Sequence, residues 1–275
     1  MQELQTMASF STQSSPHRIP LSPTLDIGGE DLVLIAGPCS VESYPQTQAI
    51  GRAIHQTGLH IMRGGAFKPR TSPHSFQGLG EEGLQILRQV ADEFDLFIIT
   101  EALGVEHLPL IEEYADIVQV GSRNMQHFPL LWAVGETNLP VMLKRGFMAT
   151  IEEWLMAAEH IASRGNERIF LCERGIRTFN EATRNTFDIS AIPLLKATAP
   201  FPVFGDPSHA TGRADLVLPT ARAALAAGAD GLMVEVHPDP NQALSDNEQA
   251  LPLKEFPDFV AQIRKLANFF GRDLI

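Results

Sequence analysis

Short apolar runs recur along this chain at regular distances, and helix-like segments separate them in strict alternation. The runs cover residues 32–36, 60–63, 96–100, 116–120, 140–144, 168–172, 202–206 and 231–235. The helix-like segments cover 45–56, 81–94, 105–113, 128–138, 150–164, 188–199, 213–227 and 254–270. Strands that alternate with helices build a parallel sheet, because each crossover helix returns the chain to run in the same direction. Eight such units occupy almost all of the 275 residues. That favours a closed (β/α)8 barrel over an open doubly wound sheet, since single barrels run to about 250 residues. The runs LVLIA, LFIIT and RIFLC are apolar almost throughout, as strands buried on both faces must be. The fold class is therefore α/β, a single (β/α)8 barrel over residues 30–275 with a short N-terminal arm over 1–29. Residues 19–27 of that arm are expected as a short strand or hairpin under the barrel floor.

The arm carries no basic segment followed by an apolar one, so it is not a secretory signal. No apolar run approaches the roughly 18 residues of a membrane helix. Two cysteines, Cys39 and Cys172, make no disulfide framework, and the expected compartment is the reducing cytoplasm. A formal charge of −12 argues against nucleic acid or an anionic membrane as partner.

Against that charge, the polar residues at the strand ends are informative. Barrel enzymes place their chemistry at the carboxyl ends of the strands. There the sequence has Cys39, Arg63, Glu101, Gly121-Ser122-Arg123, Lys144-Arg145, Glu173-Arg174, Asp206 with His209, and Glu235. The strand starts are plain by comparison. Arg63, Lys68, Arg70, Arg123, Lys144 and Arg174 all fall on this rim. Singly, each reads as a surface base paired with an acid. Together they repel one another unless anions lie between them, and guanidinium forks match phosphate and carboxylate. A site for more than one anionic group follows. The loop 63–80, RGGAFKPRTSPHSFQGLG, adds glycines for close approach, prolines for stiffness, and Lys68, Arg70 and Thr71 as a clamp for a second phosphate.

Cys39, His209, Glu235 and Asp246 form a second constellation. Thiolate, imidazole and carboxylates together suit a divalent Mn, Fe, Co or Zn ion. In a closed barrel the seventh, eighth and first strands are neighbours, which brings these distant residues together. Each also has an ordinary reading: a small buried thiol, a satisfied loop histidine, a turn aspartate. His237 competes with His209 as a ligand. It ranks lower because Pro238 suggests that the strand has already broken.

The segments GPCSVES (37–43), RGGAFKPRTSP (63–73), QVGSRNMQ (119–126), LKRG (143–146), CERGIRTF (172–179), DPSHATG (206–212), EVHPDP (235–240) and SDNEQ (245–249) occur in the order seen in one enzyme family. Over residues 30 to 275 the chain resembles the 3-deoxy-D-arabino-heptulosonate 7-phosphate synthases, type I-beta group. The resemblance implies a transferase that condenses phosphoenolpyruvate with erythrose 4-phosphate and water, releases phosphate and opens the shikimate route to aromatic amino acids. It implies Cys39, His209, Glu235 and Asp246 as ligands of one divalent ion that polarises the aldehyde oxygen. It places Arg63, Lys68, Gly121, Ser122, Arg123, Lys144, Arg174 and His209 around phosphoenolpyruvate, and Lys68, Pro69, Arg70 and Thr71 on the aldose phosphate. Lys68, Glu101, Lys144 and His209 become the catalytic set, with Glu101 near the reacting carbons or the attacking water. A homo-oligomer, dimer or tetramer, is implied too, with a separate chorismate mutase as a partner able to confer control in trans.

Two departures from the family pattern are visible. Ser122 stands where the family usually has Ala, and a backbone N–H contact survives that change. Only about 30 residues precede the first strand, fewer than an added regulatory domain needs. The expectation is an enzyme insensitive to phenylalanine, tyrosine and tryptophan on its own. The nearest alternative is the sister synthase that uses arabinose 5-phosphate. Its aldose loop usually reads KANRS where this chain has KPRTS. A non-catalytic phosphosugar-binding subunit should lack a metal ligand or a phosphate-site arginine, and none is missing.

Overall fold

The hydrogen-bond ladders close on themselves. In the computed structural model, which describes residues 17–68 and 74–275, parallel strands Val33–Gly37, Ile61–Arg63, Phe97–Ala102, Ile117–Val120, Val141–Lys144, Ile169–Glu173, Val203–Gly205 and Gly231–His237 pair in chain order. The eighth also pairs with the first, from Gly231 beside Val33 to Glu235 beside Gly37. The expected (β/α)8 barrel is the fold, and every expected strand is found within a residue or two of its predicted bounds.

Period-two alternation divides each strand between two cores. Val33, Ile35, Ile61, Ile99, Ile117, Met142, Phe170, Phe204 and Met233 fill the barrel interior. Leu34, Ala36, Met62, Ile98, Val118, Leu143, Leu171 and Val234 pack outward against the helices. The interior is sealed at the strand starts by an antiparallel hairpin, Ile19–Ser22 with Leu25–Ile27. Its Ile19, Leu25 and Ile27 are buried in the interior core, each worth about 1.5–3 kcal/mol of apolar burial. Arg168 Nη2 donates to Pro20 O at 2.9 Å and ties the hairpin to the start of the sixth strand. Residues 1–16 of the expected arm lie outside the described residues.

Local chemistry starts the helices. Ser43 accepts Gln46 N–H ahead of Tyr44–Gln56, and Thr150 with Glu153 makes a reciprocal cap for Ile151–Ala162. One helix escaped the periodicity: Pro207–Thr211, too short to show a repeat. Asp206 caps it and Gly212, at φ +67°, ends it.

The eighth strand corrects one expectation. It does not break before His237 but runs through it, because Leu251–Pro252 adds a short parallel strand beside Val236 and His237. That pairing folds the segment bearing Asp246 and Gln249 back over the end of the barrel. His237 nevertheless stays out of the central cavity, with Nε2 3.4 Å from Glu42 Oε2.

Candidate active site

Cys39, Glu235 and Asp246 converge because the first and eighth strands are in register and the segment after the eighth strand returns across it. One ligand atom from each lies within 4.8 Å of the others. Cys39 Sγ is 3.3 Å from Asp246 Oδ2. Gly37 permits this packing: a Cβ there would stand 1.9 Å from Arg63 O. Burial, with Glu235 adding to it, pushes the Cys39 thiol up to about 12. Asp246 sits at φ +45°, a backbone conformation that non-glycine residues seldom adopt.

His209 joins the cluster through Glu235. Its Nε2 is 3.2 Å from Glu235 Oε1, and its Nδ1 is 2.7 Å from Asp206 Oδ2. Burial lowers the imidazole pKa against the opposing pull of Asp206 and Glu235. A neutral ring that donates from Nδ1 to Asp206 turns the Nε2 lone pair toward a carboxylate oxygen. Two acceptors facing each other repel unless a cation lies between or beside them. Thiol, imidazole and two carboxylates are a donor set that suits a divalent metal, so the residues present fit one.

Cations surround this cluster. Lys68 Nζ donates to Cys39 O at 2.9 Å and lies 3.0 Å from Cys39 Sγ. Arg63 is bound to Glu235, so its charge is already partly matched. Lys144 Nζ lies 2.6 Å from Asp206 Oδ2. Burial would raise the Asp206 pKa, but His209 and Lys144 outweigh it and hold the carboxyl well below its usual range.

Arg174 differs. It is 3% exposed, and its Nη1 donates to the neighbouring Gly175 O at 3.3 Å. Among the described residues neither Arg174 nor Arg123 forms an ion pair. Burial first, with Arg184 nearby, lowers the Arg174 pKa to about 10 despite Asp206. The Phe147 ring, 4.6 Å from Arg174 and 5.6 Å from Arg123, holds both guanidiniums near its π face.

One cavity takes in Arg63, Lys68, Glu101, Gly121, Ser122, Arg123, Lys144, Arg174, His209 and Asp246. Cys39 and Glu235 lie buried directly behind it. Gln119 Nε2 donates to Glu101 Oε2 at 3.0 Å. Gly121 has no side chain where a Cβ would lie 1.9 Å from Glu101 Oε1, so the carboxylate can approach the backbone. Pro69, Arg70 and Thr71 lie outside the described residues. The sequence reading missed Gln119, Phe147, Arg184 and Gln249. Gln119 had a signal, a polar residue in an otherwise apolar strand; the other three had none in periodicity.

The DAHP synthetase I family model matches residues 11–270. The phospho-2-dehydro-3-deoxyheptonate aldolase of Thermotoga maritima is 54% identical over 245 residues, covering 89% of this chain and 72% of that protein. The 2-dehydro-3-deoxyphosphooctonate aldolase of Geobacter sulfurreducens is 33% identical over 265 residues, covering 88% and 95%. The crystal structure of the Thermotoga maritima DAHP synthase superposes with a TM-score of 0.92 at 51% identity, covering 95% of this chain and 76% of that one. The chain belongs to the DAHP synthetase I family.

Proposed function

We propose that this enzyme condenses phosphoenolpyruvate with erythrose 4-phosphate and water to give 3-deoxy-D-arabino-heptulosonate 7-phosphate and inorganic phosphate. The observation that carries the reading is Arg174: a buried guanidinium without a carboxylate partner among the described residues, lining one cavity with Arg123 and Lys144 beside a metal-type donor cluster. A cation held this way is poised for an anion of the substrate.

Arg123, Lys144 and Arg174 bind the phosphate and carboxylate of phosphoenolpyruvate, with the backbone at Gly121 and Ser122 alongside. Arg63 and Lys68 sit between this anion site and the donor cluster. Lys68, Pro69, Arg70 and Thr71 take the aldose phosphate. Holding two like-charged reactants together is itself a large part of the catalysis. Carbon three of phosphoenolpyruvate bonds to the aldehyde carbon, the carbonyl π pair moves to the aldehyde oxygen, which takes up a proton to become a hydroxyl, and positive charge develops at carbon two. Water adds there, and Glu101, fixed by Gln119, receives its proton. Cleavage of the bond from carbon two to the phosphate oxygen then releases phosphate, which carries away the proton of the new hydroxyl as that oxygen forms the keto group. Cys39, His209, Glu235 and Asp246 hold the divalent ion, one of Mn²⁺, Fe²⁺, Co²⁺ or Zn²⁺; when bound it supplies Lewis-acid polarisation of the aldehyde oxygen.

The enzyme works in the cytoplasm as a homo-oligomer, a reading favoured by its two free buried thiols and by exposed Phe128 and Trp132. No helix among the described residues is long and apolar enough to cross a membrane.

The test is phosphate release from phosphoenolpyruvate on adding each aldose. Erythrose 4-phosphate should support turnover, and Arg70→Ala should raise its KM far more than that for phosphoenolpyruvate. Faster turnover with arabinose 5-phosphate would assign the sister reaction, and no release with either would refute a synthase.

A further inference from the structure

We infer that Gln249 is a positioning residue for the donor cluster: it fixes the Glu235 carboxylate, and Arg184 clamps it in place. The inference rests on the metal reading above and extends it to two residues outside the ligand set.

Gln249 is 2% exposed, and both ends of its amide are engaged. Nε2 donates to Glu235 Oε2 at 2.5 Å, and Oε1 accepts from Arg184 Nη1 at 2.8 Å. A guanidinium only donates and a carboxylate only accepts, so the amide has one workable orientation. Glu235 is fully buried and needs a partner for each oxygen. Oε1 accepts from Arg63 and faces His209 Nε2 at 3.2 Å; Gln249 satisfies Oε2. As a neutral donor, Gln249 orients the carboxylate without adding a further cation to Arg63 and Lys68 beside the donor cluster.

Arg184 extends the chain. Nη1 also reaches Asp246 Oδ1 at 3.2 Å, so one guanidinium serves Asp246 directly and Glu235 through Gln249. Its backbone is strapped to the helix that bears His209: Arg184 N–H donates to Thr211 O at 2.9 Å and Asn185 N–H to Ala210 O at 2.9 Å. Asn185 Nδ2 donates to His209 O at 3.0 Å. Three donor residues from separate elements are thereby referred to one short loop. Groups that orient metal-binding side chains commonly change affinity about 10- to 100-fold when lost.

The experiment titrates metal-free protein with Mn²⁺ alone, by electron paramagnetic resonance or chelator competition, and measures phosphoenolpyruvate binding separately. Gln249→Leu, similar in volume but unable to hydrogen-bond, should weaken Mn²⁺ binding about 10- to 100-fold. Its affinity for phosphoenolpyruvate should stay within about two-fold, because the anion site is formed by other residues. Arg184→Met should weaken Mn²⁺ binding in the same sense. The double variant should lose less than the sum of the two single losses, because Arg184 acts on Glu235 only through Gln249. A Gln249→Leu protein that melts earlier but binds Mn²⁺ as tightly as the parent would overturn the inference, as would full additivity in the double variant. If Gln249→Leu does not fold, Arg184→Met decides: its half-exposed side chain can be changed without opening the core, and unchanged Mn²⁺ affinity overturns the proposal. Cys39→Ala separates the two readings. If the parent binds no Mn²⁺, or Cys39→Ala binds it equally well, the metal site itself is wrong and the inference falls with it. If Cys39→Ala weakens binding and Gln249→Leu does not, only the inference falls.

Discussion

Oδ2 of Asp206 lies 2.7 Å from Nδ1 of His209, while Oδ1 of the same carboxylate accepts the His209 backbone N–H at 3.0 Å. One side chain thus starts the short helix and sets the rotation of the ring that helix carries. The same Oδ2 also receives Lys144. Asp206→Asn leaves the helix cap but turns an amide toward two donors. We expect kcat/KM to fall about 10- to 100-fold through the misaligned ring. Stability should fall by about 3–5 kcal/mol, because Lys144 is left buried without its anion. Phosphate-release kinetics and urea unfolding measure the two effects. A variant within about two-fold of the parent in activity would show that Asp206 does not position His209.

Metal removal gives the second prediction. Exhaustive chelation should abolish turnover, and Mn²⁺ or a similar ion should restore it. Cys39→Ala should keep the parent's circular dichroism spectrum, since a small apolar residue still fills a site walled by backbone, and should lose most activity. Full turnover in chelated protein would contradict the assignment of the donor cluster.

Arg174 should show a trade between function and stability. A buried guanidinium with no ion pair among the described residues is a strained element of the free protein, and its pKa, lowered by burial to about 10, registers that desolvation. Arg174→Leu should therefore raise the KM for phosphoenolpyruvate by about 100-fold or more, consistent with loss of a charge-assisted contact of about 3 kcal/mol. Its melting temperature should equal or exceed the parent's. A clear fall in melting temperature would mean that Arg174 is mainly a structural residue.

The barrel was legible because periodicity reports burial, and the barrel strands are buried on both faces along most of their length. Strand ends were legible for the same reason: Arg63, Lys144 and Arg174 interrupt apolar runs, and the fold gathers them. Periodicity failed where position depends on chain return rather than on repeat. Nothing local indicates that 251–252 pairs with the eighth strand, so His237 was read as lying past a break and Gln249, though part of the SDNEQ segment, was given no role. Arg184 was invisible for a related reason: it lies in an irregular loop, and its guanidinium meets Gln249 and Asp246 more than sixty positions away. Asp206 was noted as a polar strand end, but a sequence cannot show that one carboxylate serves a cap, a lysine and an imidazole together.

Arg145 links the fifth and sixth strands, and its pairing makes the last prediction. Its Nη1 lies 2.9 Å from Glu173 Oε2 and 2.8 Å from Asp188 Oδ2, and Glu173 Oε1 accepts Gly175 N–H at 2.7 Å. The network thereby braces the backbone on either side of Lys144 and Arg174. Burial would raise the Asp188 pKa, but hydrogen bonds from Ser190 and Arg145 outweigh it and hold the carboxyl below its ordinary value. A depressed folded pKa means stabilisation that is fully present above the unfolded value of about 4 and is lost as pH falls through the folded one. Asp188→Asn should therefore cost about 1–3 kcal/mol at neutral pH, the worth of a hydrogen bond to a charged group. The gap between variant and parent should hold down to about pH 4 and narrow below it, as the parent's own carboxylate becomes protonated. Urea unfolding midpoints along an acid series measure this directly. A gap that stays constant to about pH 3 would show that the Asp188 charge does not supply the stability.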